Sequence, residues 1–281
     1  MLIVGLSLLI YPTVSDYLNN ITYTRVLQVY RGELELISND DYDELIERAH
    51  EYNRELLSNR RRFRKTADEL QEYHNVLGFA VGGVIGSLEI DAINVNLPIF
   101  VGTDDRVLQT GVGHLEGSSL PIGGEGTHSI LTGHRGNPSS LLLSNADRLV
   151  EGDIFVLRML RESLYYQIER VAIVEPDDFT LVRIDPYRDL STLLTCTPYG
   201  INSHRLLLIG HRIFPEYEEV IVTHRVTAGA VRLNRAVGFA FSAIPLLFIW
   251  AVFSIVRSAA ARGQQPEFRS RNKKHYQLDV L

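Results

Sequence analysis

Residues 192–213 read TLLTCTPYGINSHRLLLIGHRI. Two apolar runs flank a polar stretch built on Pro198-Tyr199-Gly200, the composition of two strands joined by a turn. If 192–197 and 205–213 pair as a hairpin, the end of one strand lies beside the start of the next. Cys196 and Arg205 are then neighbours at one rim of a sheet. A guanidinium there can favour a thiolate or hold a developing oxyanion. Side chains alternate along a strand, so His204 faces away from Arg205 and the two cannot both point at the thiol.

Working outward, similar short runs occur at 86–90, 93–100, 128–133, 154–160 and 163–174, separated by turn signals such as Gly123-Gly124 and Gly152-Asp153. Seven or eight strands without long interleaved helices point to a mostly antiparallel barrel or sandwich. Upstream, residues 40–73 read as helix: Leu45, Ala49, Tyr52, Leu56, Phe63, Ala67 and Leu70 form one apolar stripe. The basic run Arg60, Arg61, Arg62, Arg64 and Lys65 reads as a solvated helix face. The sharper alternative is a contact with lipid headgroups or cell-wall anions.

The chain has 281 residues, 28 basic and 34 acidic, with a formal net charge of −6. That balance argues against a nucleic-acid binder built on bulk electrostatics. The charge is uneven: six basic and only two acidic side chains follow Val256. Before this tail, residues 236–256 run 21 positions without a charge, enough for a helix to span a bilayer core. A buried core helix is the alternative. Positive flanks stay in the cytoplasm, which places the acidic body outside. Residues 1–14 are also apolar, but short for a spanning helix and without the basic start of a signal peptide. The expectation is a truncated membrane helix; a buried strand or short helix is the other reading.

Cys196 is the one cysteine, so no internal disulfide and no cysteine metal cage can form. From pattern alone it reads both as a small buried hydrophobe and as a nucleophile. A nucleophile needs a proton partner. His134 ends the run 128–133 beside a loop and is well placed to line a cleft. His128 shares its face about 20 Å away. His114, His128 and His134 fit no common zinc spacing. The glycine-rich stretch 111–126 lacks the lysine of a phosphate loop. Asp177-Asp178 reads as a solvated turn.

Thr192-Leu193-Leu194-Thr195-Cys196-Thr197-Pro198-Tyr199-Gly200, followed by Asn202-Ser203-His204-Arg205, resembles the active-site stretch of sortases, the membrane-anchored cysteine transpeptidases of Gram-positive bacteria. Thr132-Gly133-His134-Arg135-Gly136 resembles their histidine segment. Gly113-His114-Leu115-Glu116-Gly117-Ser118-Ser119-Leu120-Pro121 and Val174-Glu175-Pro176-Asp177-Asp178 resemble the class C, pilus-assembling branch. The resemblance implies an eight-stranded closed barrel with N-terminal helices and a C-terminal transmembrane helix. It implies Cys196 as nucleophile, Arg205 as oxyanion donor and His134 as proton carrier. Thr195, Thr197, Pro198, Tyr199 and Asn202 are then the substrate-binding neighbours. The implied reaction cleaves a Leu-Pro-x-Thr-Gly-like signal after threonine and passes the acyl group to a lysine of the next pilin. No cofactor or metal is implied. The partners are pilin subunits bearing a sorting signal and the membrane, not nucleic acid. Loops 197–204 and 175–190 are expected to make the partner contacts.

The division expected is an apolar segment (1–15), a helical region (16–83), the catalytic barrel (84–228), a transmembrane helix (229–257) and a basic cytoplasmic tail (258–281). The catalytic domain is expected outside the cell membrane. Two alternatives stay open: a wall-anchoring sortase using a peptidoglycan-precursor amine, and a non-catalytic pilin-binding β-domain. One departure stands out. Many class C sortases carry an Asp-Pro-aromatic lid, and none occurs between Tyr17 and Gly86. Asp185-Pro186-Tyr187 reads as a turn. Either other residues such as Tyr73 and His74 serve as lid, or the groove is open; the expectation is an absent or weak lid.

Overall fold

The computed structural model describes residues 2–59, 61–77, 80–135, 142–215 and Arg257. The expected spanning helix and basic tail lie outside these residues, Arg257 apart. Among the described residues no helix is long and apolar enough to cross a membrane.

Three helices precede the strands. α1 (Leu2–Leu36) is continuous through the apolar start. Tyr23, Leu27, Tyr30 and Leu34 recur at steps of four, three and four, so one face is buried. Burying each contributes about 1.5–3 kcal/mol. The Tyr30 hydroxyl donates to the Ile85 carbonyl (2.6 Å) and accepts from the Leu160 amide (3.1 Å), tying α1 to the sheet. α2 (Asn39–Ser58) is capped by the Ser38 hydroxyl and buries Leu45, Ala49, Tyr52 and Leu56.

The helix expected over 40–73 is broken. α3 (Ala67–Val76) starts afresh at a capping box, in which Thr66 and Glu69 satisfy each other's backbone amides. Arg61, Arg62, Arg64 and Lys65 of the basic run fall in the break and not on a helix face; Arg61 and Arg64 are exposed. Arg62 is 8% exposed and donates to the Val182 carbonyl. Gly117, at φ 87°, makes this seat possible: a Cβ there would stand 2.1 Å from the Arg62 carbonyl oxygen.

Asn53 shows how α2 holds the barrel. It is 3% exposed, donates to the Leu120 carbonyl (3.1 Å) and accepts from the Leu120 amide (2.7 Å). Asn53→Ala strands a buried donor and a buried acceptor. The expected loss is about 2–4 kcal/mol, read as a lower urea midpoint at unchanged slope.

Eight strands follow: β1 (Val84–Ile90), β2 (Val95–Val101), β3 (Val112–His114), β4 (Thr127–Thr132), β5 (Ile154–Met159), β6 (Glu162–Val174), β7 (Asp189–Thr197) and β8 (His204–Ile213). A short helix, α4 (Asp105–Thr110), joins β2 to β3. The strands close a barrel in the order β1-β2-β3-β4-β7-β8-β6-β5. Two pairings are parallel, β2 with β3 and β4 with β7; the others are antiparallel, so the barrel is mixed. The sheet has two faces. Leu131, Leu193, Leu206 and Leu208 turn into the main core. Ile130, Leu207 and Ile209 turn outward into a second, smaller cluster.

Candidate active site

The hairpin read from the sequence forms. β7 and β8 pair with Leu194 opposite Leu207 and Cys196 opposite Arg205. Directly opposed residues in an antiparallel pair share a face. β4 runs parallel on the other side of β7, with Thr132 level with Leu194. The pairing continues past the strand end: the Gly133 amide donates to the Leu194 carbonyl (3.2 Å). The Thr195 hydroxyl donates to the Gly133 carbonyl (2.8 Å). Two residues beyond Thr132 is His134, and two beyond Leu194 is Cys196. The register sets Cys196 and Arg205 side by side on the outer face, and carried two residues past Thr132 it brings His134, just beyond β4, level with Cys196 to complete the row.

All three side chains of this row are half-buried. Arg205 Nη1 donates to the carbonyls of Asn202 (3.3 Å) and His204 (3.2 Å), which holds the guanidinium at the root of the β7–β8 loop. The His204 ring goes elsewhere, as alternation requires: it meets Ser203 (2.8 Å) and Glu175 (3.3 Å). Among the expected substrate neighbours, Thr195 and Thr197 are buried, while Pro198, Tyr199 and Asn202 are exposed. The peptide bond between Thr197 and Pro198 is cis.

Behind the row, the outer face holds a small, mainly apolar cleft of about 20 Å³, with Glu175 and Asp178 also in its lining. Leu115, Ile130, Leu194 and Leu207 line it, with Phe179 and Val182 from the loop between β6 and β7 and Arg205 at its end. Phe63, from the break between α2 and α3, packs against the same cluster and stacks on Phe179 at 4.8 Å between ring centres. The expectation of an absent or weak lid, with Tyr73 and His74 as the candidates if one were present, did not foresee this N-terminal contribution. Tyr73 is fully buried, its hydroxyl on His114 Nδ1 (2.9 Å), so it belongs to the helix–barrel junction. Asp185 and Asp178 each close a local turn, as read. A cavity of about 670 Å³ includes Tyr42, Asp189 and Arg212 in its lining. It lies at the N-terminal end of β7, opposite to Cys196.

His114 and His128 are structural. His128 Nδ1 donates to the Arg183 carbonyl (2.8 Å) and Nε2 accepts from the Thr192 hydroxyl (2.7 Å), pinning the β6–β7 loop to the sheet. His114 Nε2 donates to the Ser119 carbonyl (2.8 Å). Burial pushes both rings from 6.5 down to about 4. The unfolded chain takes up these protons near pH 6.5 and the folded chain resists until about 4. Stability is thus full above that window and falls as the pH drops through it, by up to roughly 3 kcal/mol per ring. The urea midpoint is expected to fall between about pH 6.5 and 5, where carboxylates are still ionised. Among the described residues no cluster of three or more His, Cys, Asp or Glu is placed to hold a metal ion.

Comparison with known proteins adds to this geometry. A family signature described as "Sortase domain" matches residues 88–213. Sortase D of Bacillus subtilis (strain 168) is 32% identical over 135 residues, 47% of this chain and 65% of that relative. The crystal structure of sortase C1 from Streptococcus agalactiae is 42% identical with a TM-score of 0.65, covering 68% of this chain and 100% of that one. A structure titled as pilus-related sortase C of Group B Streptococcus is 35% identical with a TM-score of 0.59, covering 66% of this chain and 96% of the other.

Proposed function

This chain belongs to the sortase family of cysteine transpeptidases, and from that premise we propose that it joins pilin subunits into a covalent polymer. The observation that carries the chemistry is the row of His134, Cys196 and Arg205 beside an apolar cleft. The likeness to structures of sortase C, one of them titled as pilus-related, supports the pilin assignment.

The Leu-Pro end of a sorting signal would lie along Ile130, Leu194, Leu207 and Val182 once the cleft, about 20 Å³ as it stands, widens. The Thr–Gly carbonyl then lies over Cys196. The Cys196 thiolate attacks that carbon, and negative charge moves to the carbonyl oxygen beside the Arg205 guanidinium. As the tetrahedral adduct collapses, the C–N bond breaks and His134 gives its proton to the departing glycine amine. A thioester remains on Cys196. A lysine amine of a second pilin attacks it, His134 takes the amine's proton, and the C–S bond breaks. An isopeptide bond forms and the thiolate returns. No step needs a cofactor. Tyr199 and Ile201, in the loop that follows Cys196, are exposed, where an incoming subunit would meet them.

The sequence of 229–281 supports a cell-membrane location with the barrel outside and the basic tail in the cytoplasm. The test of the function is intact-mass spectrometry of the full chain mixed with a pilin that carries its sorting signal. The expected result is an acyl adduct on Cys196 that passes to a second pilin's lysine. An adduct that passes only to peptidoglycan-precursor amines would replace this reading with wall anchoring. No adduct with any sorting-signal substrate would leave a binding domain.

A further inference from the structure

Arg135 follows His134 directly, yet its side chain is 8% exposed. Its guanidinium is held on three sides. Nη2 pairs with Asp147 Oδ2 (2.8 Å), Nε donates to the Ser144 carbonyl (3.3 Å), and Nη1 donates to the Thr197 hydroxyl (3.0 Å). Asp147 lies in a short turn whose neighbours Leu143, Ala146 and Leu149 are buried in the main core. The turn that carries Asp147 is therefore held by the core, while the Asp147 carboxylate itself is half exposed. The same segment also reaches His134 through the backbone, where the Leu143 amide donates to the His134 carbonyl (3.3 Å).

These contacts have a symmetry about the reacting row. On one side of His134 and Cys196, Gly133 is tied to Leu194 and Thr195. On the other side, Arg135 is tied to Thr197. Each reacting residue thus has a cross-strand tie one residue before it and one after it. His134 lies beyond the end of β4, where sheet pairing no longer holds it. Without the second tie, only the Gly133 tie and the Leu143 amide would fix its height against Cys196.

We propose that Arg135 is a positioning residue for acyl transfer: anchored on Asp147 and Ser144, it grips Thr197 and so keeps His134 level with Cys196. The proposal rests on Cys196 and His134 being the reacting pair. It accounts for an arginine rather than a lysine, because one ammonium on a flexible stem cannot serve three acceptors in one plane.

The test uses the full chain, a Leu-Pro-Glu-Thr-Gly peptide with an amine acceptor, and iodoacetamide as a substrate-free probe of Cys196. In Arg135→Ala, kcat is expected to fall about 10²-fold while KM stays within about twofold. The pH profile of Cys196 alkylation is expected to move with it, since the proton partner is displaced. Thr197→Val, which leaves the Asp147 pair intact, should reproduce most of the kcat loss. The double variant should be no slower than the worse single variant. Arg135→Lys keeps a charge facing Asp147 and should fold yet stay slow. A raised KM with kcat retained, an unmoved alkylation profile, multiplicative losses in the double variant, or full recovery by lysine would each overturn the proposal. Wild-type protein that does not turn over the peptide would instead count against the acyl-transfer reading, and the alkylation profile alone would then decide on Arg135.

Discussion

Cys196→Ala is expected to give no acyl adduct and no joined product, a loss of about 10³-fold or more that reaches the detection floor. Each half of the reaction forms or breaks one bond at its sulfur, the C–S bond of the thioester. The substitution is small, at a half-buried position on the outer face, and removes no described hydrogen bond. The fold should therefore survive, and thermal unfolding should stay within a few degrees of wild type, about the shift of a kilocalorie or less. Substrate should still enter the cleft, because its lining comes from Ile130, Leu194, Leu207, Phe179 and Val182. Binding without turnover is the signature to look for, by titration of a labelled sorting-signal peptide. Turnover by the alanine variant would remove Cys196 from the mechanism.

His134→Ala is expected to slow both halves of the reaction by about 10²–10⁴-fold, the range for losing a positioned acid–base group. Two features separate it from the cysteine variant. Some thioester should still form over long incubation, because the nucleophile is intact. Its transfer to an amine should then be slow as well, since the same ring serves both steps. Burst-phase kinetics measure the two halves independently. Loss confined to one half would mean that another group moves the proton in the other.

Much of this site was legible in residues 192–213. The turn chemistry of Pro198-Tyr199-Gly200 and the lengths of the flanking runs dictate the hairpin, and the hairpin dictates that Cys196 opposes Arg205. The placement of His134 was legible only as a strand end beside a loop. Its level with Cys196 depends on the parallel pairing of β4 with β7, and a period of two does not distinguish parallel from antiparallel neighbours. β3 escaped notice because it is three residues long and one of them is glycine. The break between α2 and α3 was masked by the apolar stripe, in which Leu56 and Phe63 stand a heptad apart and read as one continuous face. Phe63 is apolar for a different reason: it packs against the cluster outside the sheet. Arg135 was written in the sequence next to His134, but its role comes from Thr197, 62 residues away, and no local pattern encodes that contact.

The seat of Arg62 on Val182 has a consequence for how the molecule holds together. In the sequence, residue 83 is a seam: helical patterns end and strand patterns begin. In the structure the seam is stitched by Tyr30 to Ile85, Asn53 to Leu120, Tyr73 to His114 and Arg62 to Val182. The last stitch ends on the loop that roofs the cleft, and Phe63 supplies part of the roof itself. A chain that began at Val84 would carry the residues of all eight strands and of the row, yet would lose Phe63 from the cluster over the cleft. Loosening the break between α2 and α3 would therefore also change the shape of the cleft beside Cys196.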